Sequence, residues 1–244
     1  MPRLFRRVGV GIYQNQGVLG LFRQEKRYDI LANNLSNIQT AGYKKDVPVF
    51  YKTLSGALSS SIAEDPMQSV TMFQQGDLQA TQNQWDVAID GEGFFKVKAP
   101  NGIRYTRNGN FHLNQDGVVV QSQGYPVLGD GREISIRGTH VVIDKDGSIS
   151  VDGNNQGKID LVTFPDLNGL KKEGKTLFKL TNEQEEVTPQ QSQIQQGSLE
   201  NSNVNALEEM IRMLDSLRTV QFCSKLVQTE DDMNNKAVND LAKV

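Results

Sequence analysis

Apolar residues recur at helical spacing near the two ends of the chain and at every second position through its middle. From about Ile12 to Ile38, Leu21, Tyr28, Leu31, Leu35 and Ile38 fall on steps built from three and four residues, and Leu19 and Phe22 broaden that face. Gly17 and Gly20 weaken the first half of this helix by roughly 1 kcal/mol each relative to Ala. It should stop near Gly42, because Asn37 and Thr40 are poor helix formers and Gly42 tolerates the left-handed conformation. At the other end, Asn201, Ser202 and Asn203 supply helix-start chemistry, and Glu208 and Glu209 fall in the first turns, where the helix dipole favours negative charge. Val204, Leu207, Ile211 and Leu214 form one apolar line; Met210, Met213, Leu217, Val220, Val227, Val238 and Leu241 continue an adjacent one. The spacing predicts a helix of about 40 residues, near 60 Å long, too long to sit inside a small globular domain.

Between these ends the period is two. From Trp85 to about Leu180, short apolar runs such as Val87–Ile89, Phe94–Val97, Val118–Val120, Val141–Ile143 and Ile149–Val151 alternate with Asp-Gly, Asn-Gly and related turns. Many short strands at such spacing predict an antiparallel sandwich or small barrel. Asp46 to Gln84, with Pro48, Gly56, Pro66, Gly76 and a serine run, reads as an extended connector holding a few strand-like pieces. Glu183 to Gln196, polar and glutamine-rich, reads as a second connection.

The predicted fold class is therefore α+β. Long N- and C-terminal helices pair as an inner coiled-coil-like domain, and a central, mostly antiparallel β domain stands on extended connectors. The predicted boundaries are 1–45 for the N-terminal helix, 46–84 for the connector, 85–182 for the β domain, 183–201 for the returning connector and 202–244 for the C-terminal helix. An apolar stripe with no local partner must be covered by the opposite terminus or by another molecule.

Composition narrows the partners. A chain of 244 residues with a formal net charge of -3 carries no field that would draw it to nucleic acid, and no segment is apolar enough to span a bilayer. Other proteins or neutral polymers are the expected partners. Arg3, Arg6 and Arg7 resemble the basic start of a secretory signal, but Gly9, Gly11 and the polar run Gln14–Gln16 interrupt any apolar core, so no Sec signal is read. The single Cys223 cannot form an intramolecular disulfide, and its helical context predicts a buried or half-buried thiol.

Chemistry-bearing residues form no reactive constellation, so neither a catalytic residue nor a cofactor or metal site is predicted. His112 and His140 lack ligand partners at zinc spacing. Asp144-Lys145-Asp146-Gly147 lacks the later ligands of a calcium loop and reads as a hairpin turn. Gly91-Glu92-Gly93 is followed by a strand pattern, so no helix N-terminus cradles an anion. Asn33, Asn34, Asn37, Asn203 and Asn205 are uncharged donors and acceptors suited to a packed boundary, although a solvated helix end accounts for them equally simply. The expected packing residues are these, with Gly42 and the apolar Leu31, Leu35, Ile38, Leu207, Ile211, Leu214, Leu217, Val220 and Val227.

Ala32 to Lys45, ANNLSNIQTAGYKK, resembles the N-terminal signature of the flagellar axial proteins of the rod and hook, and the stretch from Ser202, SNVNALEEMIRMLDSL, resembles their C-terminal one. WDVAIDGEGFFKV and YTRNGNFHLNQDGVVVQSQGYPVLG, between them, are similar to the β domain that this family shares. The resemblance covers most of the chain in the family's order. It implies paired terminal helices inside, a β domain outside, and export through the flagellar type III apparatus without a cleaved signal. It also implies a place in the periplasmic part of the basal-body rod, where subunits add head-to-tail into a helical tube that carries motor torque to the hook. The implied partners are other copies, other rod proteins, the export apparatus, and hook-side and ring proteins. The short Leu54–Val70 stretch, without a glycine-rich insertion, and the ending DDMNNKAVNDLAKV favour a proximal over a distal rod subunit. The opening MPRLFRRVGVGIYQNQGVLGL departs from the small-residue pattern usual there. A rival reading, a peptidoglycan-binding or hydrolysing module, would use Trp85 to stack on sugar and Asp86, Asp90 or Glu92 as acids.

Overall fold

The computed structural model describes residues 20, 22–50, 67–138, 140–182 and 184–241. It is mixed α+β: a mostly antiparallel β assembly and a C-terminal helix of 36 residues. Residues 12–19 and Leu21 of the predicted N-terminal helix, and 51–66 of the first connector, lie outside the described residues. What is described of the former is a shorter helical stretch, α1, over 22–36. The turn after it ends at Gly42, which takes φ +68, as its position after the last apolar step requires.

The strands are β1 (Asp46–Phe50), β2 (Met67–Thr71), β3 (Leu78–Ala80), β4 (Val87–Asp90), β5 (Phe94–Ala99), β6 (Gly102–Thr106), β7 (Phe111–Leu113), β8 (Val119–Gln121) and β9 (Leu128–Gly129), followed by β10 (Arg132–Glu133), β11 (Val141–Ile143), β12 (Ser148–Val151), β13 (Asn154–Lys158), β14 (Leu161–Val162), β15 (Leu170–Glu173), β16 (Leu177–Leu180), β17 (Gln193–Gln196) and β18 (Ser198–Glu200). The chain then enters α2 (Ala206–Leu241). The largest sheet has the order β14-β5-β6-β16-β15, and β11, β12 and β13 form a second. Short ladders supply the remainder.

Two of those ladders differ from the sequence expectation. The glutamine-rich return reads as a polar connection, yet its residues 193–196 form β17, antiparallel to β4, with Ile194 opposite Ile89 and buried. Immediately afterwards β18 pairs with β3, placing Glu200 opposite Leu78. A ladder with a single buried apolar residue among three glutamines carries almost no periodic signal, so only the partner strand reveals it.

Period-two alternation distributes the core. Adjacent residues of β5 point to opposite faces: Phe95 enters a large cluster with Val87, Ile89, Phe111, Val127 and Ile149, and Phe94 enters a smaller one with Tyr105, Phe164, Leu170 and Phe178. Aromatic rings meet edge-on in both, with Phe95–Phe111 centroids 5.1 Å apart and Tyr105–Phe164 centroids 4.8 Å apart.

At the margin of the smaller cluster, Glu186 accepts from Lys96 Nζ and from the Tyr105 hydroxyl, each at 2.7 Å. Burial alone would raise this carboxyl, but the two hydrogen bonds and the Lys96 charge hold it below the usual carboxylate range. The Tyr105 hydroxyl is pushed far up by burial and by the same contact. Because the folded pKa of Glu186 is the lower one, its stabilisation is present above the unfolded value and is lost as pH falls through the folded value. Glu186→Gln is therefore expected to cost about 0.5–1.5 kcal/mol at pH 7 and clearly less in acid. Urea midpoints measured at pH 7 and pH 3 check this; equal losses at both would contradict it.

By contact the described residues fall into two compact units. One comprises the described parts of Met1–Leu35, Val47–Ser69 and Ala206–Val244, and the other Ser36–Asp46 and Val70–Asn205.

Candidate assembly site

Within the β-rich unit, the segment that follows α1 and the segment that precedes α2 run side by side. Gly42 N donates to Glu200 O at 2.7 Å, and Asn203 N to Tyr43 O at 3.4 Å. Asn203 fastens three backbones at once: its Oδ1 accepts from Lys45 N at 2.7 Å, and its Nδ2 donates to Met72 O at 2.8 Å and Gln74 O at 3.0 Å. A carboxamide suits this position because it offers acceptor and donors without a charge to desolvate.

Beneath these strands lies a fully buried ion cluster. Lys44 Nζ pairs with Glu200 Oε1, both side chains being inaccessible, and donates to Gln74 O at 2.7 Å. The same Glu200 oxygen accepts from Gly76 N at 3.0 Å, and Oε2 faces Arg107 Nη1 at 3.3 Å. Arg107 also donates to Gly91 O at 2.9 Å, and its guanidinium lies 5.3 Å from the centroid of the Phe94 ring. One carboxylate thus serves two cations. Burial lowers the pKa of Lys44 and Arg107, and Glu200 opposes the shift in each case. A third cation, Lys172, donates to Lys44 O at 2.6 Å and Asp46 Oδ2 at 2.8 Å while standing 4.2 Å from the Tyr43 ring centroid.

None of Lys44, Arg107 and Glu200 was singled out from the sequence. Lys44 and Arg107 stand inside the stretches that carry the family resemblance, and Glu200 directly before one, but no spacing rule joins residues so far apart. Charged residues are ordinarily read as solvated.

The helical unit arranges its residues differently from the apolar lines. In α2 the buried or half-buried positions include Ala206, Glu209, Met213, Ser216, Val220, Cys223 and Val227, which alternate steps of three and four, with Arg212 and Ser224 half-buried beside that line. In α1 they include Gln24, Arg27, Leu31 and Asn34 at the same alternation. The seam therefore mixes buried polar residues with apolar ones. Glu209 Oε2 accepts from Asn34 Nδ2 at 3.5 Å, and the buried Ser216 Oγ has no partner among the described residues. Leu207, 69% exposed, Ile211, Leu214, 57% exposed, and Leu217 lie off the seam, as do Phe222, Leu226 and Met233. Of the expected packing residues, Leu31 and Asn34 are buried on the seam, Val220 and Val227 are half-buried on it, Leu35 is half-buried, and Asn33 and Asn205 are exposed. In the β-rich unit Asn37 and Gly42 are buried and Ile38 is half-buried.

Two residues of the rival carbohydrate reading have structural occupations, and its other two acids, Asp90 and Glu92, are exposed. Trp85 packs against the large core cluster, and the buried Asp86 carboxylate accepts from Asn110 Nδ2 at 2.9 Å. No group of three or more His, Cys, Asp or Glu side chains is placed to hold a metal ion among the described residues. No helix among them is long and apolar enough to cross a membrane.

Comparison with known proteins agrees with this layout. Residues 16–44 match the family described as flagella basal body rod protein, residues 88–151 the flagellar hook protein FlgE/F/G D1 domain, and residues 195–241 the flagellar basal body rod FlgEFG protein C-terminal region. The flagellar basal-body rod protein FlgG of Buchnera aphidicola subsp. Acyrthosiphon pisum is 34% identical, over 89% of this chain and 95% of its own length. FlgF of Caulobacter vibrioides is 35% identical, over 93% and 97%, and FlgG of Bacillus subtilis is 30% identical, over 91% and 96%. With its three signature regions matched in order and joined through one buried ion cluster and one helical seam, the chain belongs to the flagellar basal-body rod protein family.

Proposed function

We propose that this chain is a structural subunit of the bacterial flagellar basal-body rod, adding head-to-tail to further copies and to other rod proteins to build a helical tube that transmits motor torque to the hook. The observation that carries the reading is the face that α2 leaves uncovered: its seam buries Glu209 and Ser216 among small and apolar residues while the large apolar Leu207, Ile211, Leu214, Leu217 and Phe222 face outward. Fully burying such a side chain is worth about 1.5–3 kcal/mol, so several on one helix supply a strong drive for association. Nonidentical faces meeting through a rotation that does not close give a filament rather than a ring.

In this reading α1, extended toward the N-terminus, and α2 form the inner coiled-coil-like wall, and the β-rich unit forms the outer layer. The helices gain much of their order on incorporation, because a stripe facing water contributes little until it is covered. The subunit leaves the cell through the flagellar export apparatus without a cleaved signal, works in the periplasm, and contacts hook-side and ring proteins. It has no enzymatic role and takes no cofactor. The short first connector, without a glycine-rich insertion, supports a proximal rather than a distal position; relatives named FlgG and FlgF match almost equally well, so a side-chain-resolution reconstruction of the intact basal body is the measurement that assigns it.

Leu214→Asp tests the packing role directly. A charge on the outward stripe should block incorporation into the rod and abolish motility, while the β-rich unit melts as in the unmodified chain. Normal rod assembly by this variant would refute the reading.

A further inference from the structure

We propose that Glu209 is the specificity residue of the α2 seam: it lets the seam accept the N-terminal segment of the same chain and makes it refuse the seam of a second copy. This rests on the assembly reading above and adds to it a device against premature self-pairing.

The first turn of α2 carries two carboxylates with different placements. Glu208 is exposed and pairs with Arg212, which is all that the helix dipole and an i,i+4 ion pair ask of an acidic residue there. Glu209 is only 1% exposed, with Asn34 Nδ2 at 3.5 Å from one oxygen and Arg212 Nη1 at 4.0 Å from the other. Burial of an acid on a seam is not needed for the dipole interaction, which an exposed acid already makes, and it requires dedicated donors. A single polar seam residue fixes which helices pair, at a cost in stability.

Glu209, Ser216 and Cys223 share one heptad position, separated by seven residues each. If two copies joined in parallel through this seam, every seam residue would face its own counterpart. Glu209 would then meet Glu209 of the second copy, two buried carboxylates without the Asn34 donor. The other positions of this line carry no charge: Ala206, Met213, Val220 and Val227 are apolar, Ser216 and Cys223 are small, and the half-buried Arg212 and Ser224 flank it. Charge at one position therefore separates the intended pairing from the homotypic one, which matters for a subunit that must reach its filament unpaired.

Cys223 reports the outcome, because in the parallel homotypic pair it lies against Cys223 of the partner copy. The full chain, unmodified and with Glu209→Leu, Glu209→Gln or Asn34→Ala, is held in dilute solution and exposed briefly to the thiol oxidant diamide. Covalent dimer is quantified, with sedimentation velocity and circular dichroism in parallel. Glu209→Leu should raise the dimer yield at least about tenfold, the size expected when a like-charge juxtaposition is removed. Glu209→Gln should give an intermediate, several-fold rise, and Asn34→Ala should stay at the unmodified level because the charge remains. The proposal is overturned if Glu209→Leu keeps the unmodified yield and helix content, or if Asn34→Ala dimerises as strongly as Glu209→Leu. If Glu209→Leu loses helix, Glu209→Gln decides, and an unmodified yield there overturns it as well. These readings involve no rod assembly, so they succeed or fail separately from Leu214→Asp.

Discussion

Glu200→Gln should lower the unfolding free energy of the β-rich unit by about 3–5 kcal/mol, the largest single-residue effect expected in this protein. The amide keeps the shape of the carboxylate but removes the negative charge paired with both Lys44 and Arg107, whose side chains are 0% and 4% exposed. Arg107 cannot discharge itself, and Lys44 does so only by forfeiting its ammonium contacts. The variant amide group would also turn a donor toward a donor. Trp85, the single tryptophan, packs on the core and reports unfolding in urea by fluorescence. A lower midpoint with unchanged slope is expected. Lys44→Met should cost less, since Arg107 still satisfies Glu200, and the double variant should lose less than the sum of the two, as coupled neighbours do. A neutral Glu200→Gln would show that the buried charge is not needed.

Gly42→Ala is the second large effect, for two reasons that can be separated. The left-handed backbone costs a non-glycine residue roughly 1–2 kcal/mol. A Cβ there would also stand 2.3 Å from Asn108 N and 2.4 Å from Arg107 C, backbone atoms that cannot swing aside. Relieving that overlap means moving the 42–45 segment away from the backbone of Arg107 and Asn108, at a further cost of about 1–3 kcal/mol. Gly42→Asn relieves mainly the first penalty, because Asn tolerates φ near +60 but still carries the Cβ. Equal damage by Ala and Asn would identify the steric term as dominant, and a nearly silent Gly42→Asn would identify the dihedral. Native-state hydrogen exchange at the N–H groups of residue 42 and Asn203 should rise in either case, because their bonds across the two segments, to Glu200 O and Tyr43 O, depend on this approach.

Much of the fold was legible from pattern. The change from helical spacing to alternation at Trp85, the Asp-Gly and Asn-Gly turns, and the glycine stop at Gly42 each rest on a local rule that acts within a few residues. The long C-terminal helix follows from the same kind of rule. Where the sequence reading falls short, the missing information is non-local: β17 is a strand because β4 offers it a partner, not because three glutamines around one isoleucine prefer extension.

The site shows the same division more sharply. Leu207, Ile211 and Leu214 were readable as one apolar line, and their regular spacing is a property of the helix alone. Which face of that helix is covered inside the chain depends on what the partner segment presents, and Asn34 presents an amide to Glu209. Likewise Lys44, Arg107 and Glu200 each look like surface charges in isolation, since a charge leaves water only where its counter-charge is supplied, and that counter-charge lies 93 residues away for Arg107 and 156 for Lys44. Local stereochemistry, periodicity and family membership came from the sequence by itself. Burial of charge and the choice between covered and exposed helix faces were decided by the tertiary structure, because both depend on electrostatic and packing partners that no local rule can name.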